Sequence, residues 1–333
     1  MYFLQSVGEI ASKEIGDNVM GKEYRKLPNF MIVGAAKSGT TSLYKYLRQH
    51  PDIFMPEWKE PLFFMIDPYF RLHRVKTSKL YKKLFPRASH KAVGEASVGY
   101  LYDEKTPGLI KEALGHIKIL IILRDPVFMA YSLYNQKVRK GGETIKCFED
   151  ALAAEEERRG DINFKKKCYG WHATYYYFHF ALYYQQVKRY LETFGTDNVK
   201  IFLYDDLKND PVGVAQEAYR FLEVDDSFVP EIKIHNQAGK ILSIPRFWSD
   251  YGLFIKTLQF VFSKNILKKL PHLLRNIGRK PPEPINPQTE QALRKRFFSD
   301  VCNLERLIKR DLSAWKGTSS RPYAPKKINS DST

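Results

Sequence analysis

Short apolar runs alternate with longer stretches of helical spacing along most of this chain. The first run, Phe30 to Val33, is continuous, as in a parallel strand buried on both faces. It ends at Gly34 and passes through Ala35-Ala36-Lys37-Ser38-Gly39-Thr40-Thr41. From Ser42 the period becomes helical, with Leu43, Tyr46 and Leu47 on one face. Lys91 to Ser97 predicts a second short strand with Glu95 and Ser97 at its C-terminal end. Ile117 to Leu123 carries the strongest strand signal and stops at Arg124-Asp125-Pro126, ahead of a helix holding Tyr131, Ser132, Tyr134 and Asn135. Asn198 to Tyr204 predicts a further strand, then Asp205-Asp206-Leu207 and a helix from Pro211 to Leu222. Strand followed by helix, repeated in this way, predicts an α/β fold with a parallel sheet and right-handed crossovers.

The remaining stretches read differently. Residues 143–195 predict helices, the last closed by Gly195, with Lys165, Lys166 and Lys167 as either a solvated face or a lid over an anionic acceptor. Residues 240–280 hold nine Lys or Arg against one acid, Asp250, interleaved with Phe247, Trp248, Tyr251, Phe254, Phe260 and Phe262. That composition suits a helical hairpin packed on the core, or a basic surface that meets anionic lipid or an acidic glycan. A last helix is predicted from Pro287 to Asp311, with Leu293, Phe297, Val301, Leu304, Leu307 and Ile308 at apolar positions. Residues 1–27 read as a flexible lead-in and 317–333 as a disordered tail rich in Ser, Pro and Lys.

Strand, glycine loop and helix together aim backbone N–H groups and a helix N-terminus at a phosphate. Gly34 and Gly39 keep the spacing of the Walker A loop, G-x-x-x-x-G-K-[ST], but Thr40 stands where its lysine belongs and Lys37 comes three residues earlier. An ATPase or nucleotide kinase built on this loop lacks its phosphate-bridging lysine. Arg124, leaving a central strand beside a helix N-terminus, suits a second phosphate by forked hydrogen bonds, or else a surface pair with Asp125. The turn Trp58-Lys59-Glu60-Pro61-Leu62-Phe63-Phe64 offers a carboxylate soon after the anion loop. Glu95 sits at the strand edge where open parallel sheets bind ligands.

Composition narrows the partners. The 333 residues are 44% hydrophobic and 14% aromatic, enough for one or two globular domains. A net charge of +17 calls for an anionic partner. Three cysteines, Cys147, Cys168 and Cys302, do not make a disulfide framework and suit a reducing, cytoplasmic setting. The first twenty residues lack the basic and apolar regions of a secretory signal, and no apolar stretch is long enough for a spanning helix. The expected location is the cytoplasm, with peripheral membrane contact through 240–280. The histidines are scattered, with no metal-ligand spacing.

The chain resembles the sulfotransferases that use 3′-phosphoadenosine 5′-phosphosulfate (PAPS), in their bacterial and carbohydrate-acting branch. Val33 to Leu43 is similar to their 5′-phosphosulfate loop, K-x-G-T-[TS], which accounts for the displaced lysine. Arg124-Asp125-Pro126, with Ser132 eight residues after the arginine, resembles their 3′-phosphate site. Lys59-Glu60-Pro61-Leu62-Phe63-Phe64 is similar to the K-E-P-x-F-F stretch that carries the catalytic base. His235 to Lys240 resembles a later nucleotide-closing segment, with Ala238 where serine is usual, and Arg310 to Trp315 resembles the branch's ending. Other departures are Met129 where a further arginine is frequent, Leu62 where some relatives have histidine, and Ala96 where some carry a substrate-facing lysine. The resemblance implies a P-loop-like three-layer fold over 28–316. It implies PAPS as co-substrate and a hydroxyl acceptor, for which the Lys165 to Lys167 connection and the basic 240–280 stretch favour a saccharide or glycolipid. Neither a metal nor nucleic acid is expected. It implies Glu60 as general base, with Glu95 in reserve, and Lys37 on the leaving group. The donor would be held by Lys37, Ser38, Gly39, Thr40, Thr41, Ser42, Arg124, Ser132, Gly239 and Lys240. A P-loop nucleotide kinase and a non-catalytic basic module for acidic glycans are the competing readings.

Overall fold

The computed structural model describes residues 27–70, 75–85, 90–232 and 283–317. The lead-in up to 26, the nucleotide-closing segment with Gly239 and Lys240, the basic stretch 240–280 and the tail beyond 317 lie outside the described residues. Five strands, β1 (Phe30–Gly34), β2 (Ile53–Phe54), β3 (Ala92–Ala96), β4 (Lys118–Leu123) and β5 (Val199–Leu203), form one sheet in the order β2-β3-β1-β4-β5. Every pairing is parallel. The chain moves from β1 to one side for β2 and β3, then crosses to the other side for β4 and β5. The switch lies at β1, the position at which open parallel sheets bind ligands beyond the carboxyl ends of their strands.

The continuous apolar runs are explained by two cores, one on each face. Alternate residues of a strand point to opposite faces. Met31, Val33, Ile119, Ile121 and Leu123 enter one core, while Phe30, Ile32, Leu120 and Ile122 enter the other. The second core is closed by α1 (Thr40–Leu47), through Leu43, Tyr44, Tyr46 and Leu47, together with Val214, Ala215, Ala218 and Tyr219 of a late helix. The first, larger core takes Tyr81 of α2 (Ser78–Lys82), Leu109 and Ile110 of α3 (Thr106–Leu114), and Val127, Met129 and Leu133 of α4 (Pro126–Arg139). It also takes Tyr183, Val187 and Tyr190 of α5 (Tyr183–Phe194). After β5 come α6 (Tyr204–Asn209) and α7 (Pro211–Phe221), the latter being the late helix of the second core. The last long helix, α8 (Pro287–Ile308), lays Leu293, Phe297, Val301 and Leu304 on the first core. The result is the parallel α/β sandwich that the alternation predicts, in the P-loop-like form that the resemblance implies.

Several boundaries depart from the apolar pattern. The last helix ends at Ile308 rather than Asp311, as Lys309 turns into left-handed backbone at φ +52°. The helix after the glycine loop starts at Thr40, two residues before its helical spacing begins. The fifth strand ends at Leu203, and Tyr204 opens α6, because the Asp206 carboxylate turns back to accept from the Leu203 N–H at 3.3 Å.

Candidate active site

The end of β1 and the loop that follows it are held by β4 on one side and by the turn after β3 on the other. Ala35 N–H donates to the Ile122 carbonyl at 2.7 Å, and Leu101 N–H donates to the Val33 carbonyl at 2.9 Å. Gly39 has φ +92°, a left-handed conformation, and a Cβ there would meet Leu207 Cδ2 at 2.7 Å. That double restriction explains a glycine at the N-cap of α1. Ser42 and Leu43 donate to the Gly39 carbonyl, at 2.9 and 3.2 Å, as the first turn closes. The amides ahead of them are the donors a helix N-terminus presents to an anion. Ser38 and Thr40 are buried in the loop, and Thr41 and Ser42 are half-buried.

Lys37 also sits in left-handed backbone, with φ +61°. Its carbonyl accepts from Arg124 Nη1 at 3.2 Å, so the ends of β1 and β4 are linked through the arginine. Arg124 in turn lies over the Tyr204 ring, 4.8 Å from the centroid. Arg124 is thus drawn toward the glycine loop, whereas Asp125 pairs with Arg294 at 3.0 Å. The simple Arg124–Asp125 surface pair is replaced by two separate roles.

The Lys37 ammonium is pushed down to about 8, first by burial and then by Arg139, Arg124, Lys140 and Lys59. Cations therefore converge on the glycine loop from the end of β4, the C-terminal end of α4 and the Lys59 turn. Such a convergence costs free energy that an anion offsets. Ser132 lies in the second turn of α4, half-buried.

Glu60 stands at the end of β3. Its N–H donates to the Ala96 carbonyl at 2.9 Å, and its Oε2 accepts from Val98 N–H at 2.9 Å. Its Oε1 receives Lys59 Nζ at 2.6 Å, and the Glu60 side chain is 32% exposed, which leaves it open to a substrate. Glu95 differs in every respect. It is 0% exposed, with Tyr81 donating to Oε2 at 2.5 Å and Ser97 donating to Oε1 at 2.6 Å. Burial drives its carboxyl up to about 7, against the pull of the Ser97, Tyr81 and Tyr100 hydroxyls and with a further push from Glu60. Sealed behind those hydroxyls, Glu95 has no route to an acceptor, and the role of reserve base does not fit it.

Lys165, Lys166 and Lys167 close a short helix, Ile162–Lys167, with Lys166 and Lys167 exposed. Lys59, Arg139, Lys140 and Tyr204 join the site without having been singled out as binding residues in the sequence. Lys59 precedes Glu60 directly and could have been inferred from it. The other three carry no local signal, because helix length and the early end of β5 bring them in.

A profile of the sulfotransferase domain matches residues 27–238. Human bifunctional heparan sulfate N-deacetylase/N-sulfotransferase 3 is 27% identical over 207 residues, 60% of this chain and 22% of that protein. Membrane-associated sulfotransferase kil1 of Dictyostelium discoideum is 32% identical over 113 residues, 34% of this chain and 24% of that one. The chain spans about a quarter or less of the length of these curated relatives. A solved sulfotransferase from Alicyclobacillus acidocaldarius matches with a TM-score of 0.67 at 35% identity, covering 87% of this chain and 99% of that one. The profile runs through the glycine loop, the Glu60 turn and Arg124, so the residues that gather at the carboxyl ends of β1, β3 and β4 lie inside the matched region. The chain belongs to the sulfotransferase domain family.

Proposed function

We propose that this sulfotransferase moves a sulfuryl group from PAPS to a hydroxyl of a saccharide or glycolipid acceptor. The observation that carries the reading is the gathering of cations on Lys37, beside a carboxylate held at the end of the neighbouring strand. An adenosine carrying a 5′-phosphosulfate and a 3′-phosphate matches that concentration of positive charge. In this reading Lys37, Ser38 and the amides of Gly39, Thr40, Thr41 and Ser42 hold the 5′ end. Arg124 and Ser132 hold the 3′-phosphate. Gly239 and Lys240 remain candidates for closing over the nucleotide.

Glu60 accepts the proton of the acceptor hydroxyl while that oxygen forms its bond to sulfur. The bond from sulfur to the bridging oxygen breaks, and 3′,5′-adenosine bisphosphate (PAP) departs with the electron pair. Lys37 and the helix N-terminus meet the charge that develops on that oxygen, a fixed electrostatic device that needs no reorganisation. A positioned general base contributes roughly 10²–10⁴-fold. The saccharide reading draws on the names of the heparan sulfate N-sulfotransferase relatives, which also make an amino saccharide the natural second acceptor to try.

Two measurements test this. PAP is expected to raise the melting temperature, while ATP with magnesium does so far less. No response to PAP would sink the donor assignment. Glu60→Gln is expected to lower kcat at least about a hundredfold while PAP still binds. Equal loss of turnover and binding would make Glu60 a structural residue.

A further inference from the structure

Glu60 and Leu62 flank Pro61, and both have left-handed backbone, φ +66° and +52°. Neither is a glycine, so each residue costs roughly 1–2 kcal/mol relative to ordinary backbone. The turn persists because something outside it holds it. Pro61 has no N–H, so the turn's backbone donors are those of Glu60 and Leu62. The first goes to the Ala96 carbonyl, and the second goes to Ser97 Oγ at 3.1 Å. The Pro61 carbonyl accepts from Val75 N–H at 2.8 Å.

The Ser97 hydroxyl has one hydrogen, and it goes to Glu95 Oε1 at 2.6 Å. With that hydrogen committed, the oxygen presents its lone pairs to Leu62 N–H. Tyr81 secures the other Glu95 oxygen at 2.5 Å, and Ser97 itself is 1% exposed. Glu95 is a fully buried carboxylate, costly to keep charged unless its oxygens are hydrogen-bonded, and its donors here are side-chain hydroxyls held in place by it.

We propose that Glu95 is a positioning residue for Glu60, acting through the Ser97 hydroxyl on the Leu62 amide to keep the Glu60-Pro61-Leu62 turn in its left-handed form. The inference rests on Glu60 being the base. Tyr81 anchors the chain of bonds, Glu95 orients Ser97, and Ser97 orients the turn. The Glu60 carboxylate is thereby aimed, with Val98 N–H holding one of its oxygens.

The experiment uses Ser97→Ala, Glu95→Gln and the double variant in the full chain. Each single variant is expected to lower kcat about 10–100-fold, the scale of a small misplacement of a catalytic group. PAP affinity, measured by calorimetry, is expected to stay within about twofold of wild type. The double variant is expected to be no worse than the weaker single variant, because both act along one chain. Leu62 amide hydrogen exchange is expected to accelerate in Ser97→Ala. Should Glu95→Gln fail to fold, Ser97→Ala alone decides, through kcat and Leu62 exchange together. A kcat within twofold of wild type in Ser97→Ala, additive losses, or a parallel fall in PAP affinity overturns the proposal. Full turnover in Glu60→Gln instead overturns the base assignment, so the two failures are separable.

Discussion

At the scale of single residues the proposed mechanism rests on Glu60 and Lys37, with Glu95 positioning the first, and burial separates the two carboxylates. Glu60 keeps a partly open side chain beside Lys59, while Glu95 is enclosed with both oxygens engaged. Lys37 is the group whose charge the fold makes most conditional. Its ammonium sits at about 8, lowered by burial and by four neighbouring cations. The free protein therefore loses that proton as pH rises through about 8, whereas a bound anion favours the protonated form and raises the value. Affinity for PAP is therefore expected to be full below pH 8 and to fall above it, approaching tenfold per pH unit. Calorimetry between pH 7 and 9.5 checks this, with proton uptake on binding in the upper half of the range. Lys37→Met is expected to weaken binding and to flatten the slope. A slope unchanged in that variant would assign the titration to another group.

At the scale of elements, glycines mark where the strands and the loop are packed too closely for a side chain. A Cβ on Gly94 of β3 would fall 2.1 Å from the Phe30 ring of β1, whereas one on Gly39 would press on Leu207 of α6. The two sites separate packing from binding. Gly94→Ala forces the Phe30 ring to move and is expected to cost about 1–3 kcal/mol, read as a lower urea midpoint, while the folded fraction keeps its PAP affinity. Gly39→Ala strains the loop, at φ +92°. It is expected to weaken PAP binding beyond any loss of stability. Equal effects on binding in both variants would show that the loop has no special place in recognition.

The C-terminal helix integrates the whole molecule. Leu182, at the N-cap of α5, has no side-chain acceptor, and Asp300 of α8 supplies one, receiving Tyr183 N–H at 2.9 Å and Tyr184 N–H at 3.2 Å. Arg294 of α8 reaches Asp125, 169 residues away, at the N-cap of α4 beside Arg124. Burial raises the Asp125 carboxyl to about 6, even though Arg294 pulls it down. A carboxyl raised above its unfolded value takes stability away as pH climbs from that unfolded value through the folded one, here about 6. Arg294→Ala removes the downward pull and extends the range over which the loss accumulates. Its destabilisation is expected to be about 3 kcal/mol at neutral pH and larger at pH 8 than at pH 5, as measured by chemical denaturation. A pH-independent loss would mean that Asp125 does not carry the effect.

The sequence by itself determined the alternation of strands and helices, the two glycine positions, the displaced lysine, Arg124 at a strand end and the Glu60 turn. Each is a local pattern: apolar periodicity reports burial on two faces, Gly39 reports backbone in a left-handed turn, and Gly34 a strand end packed against Leu101. Only the tertiary structure decided which carboxylate is open. Glu60 and Glu95 both look available in a linear reading, and Glu95 is buried because Tyr81 of the helix 14 residues earlier packs back on β3 and caps its carboxylate together with Ser97. It also decided that Arg124 leans on Lys37 and Tyr204 while Asp125 turns to Arg294. Adjacent residues at a strand end point in different directions, and their partners are chosen by the packing of helices the linear pattern does not orient. The cations around Lys37 come together for the same reason. The charge was countable from composition, but its convergence at one strand end is a property of the fold.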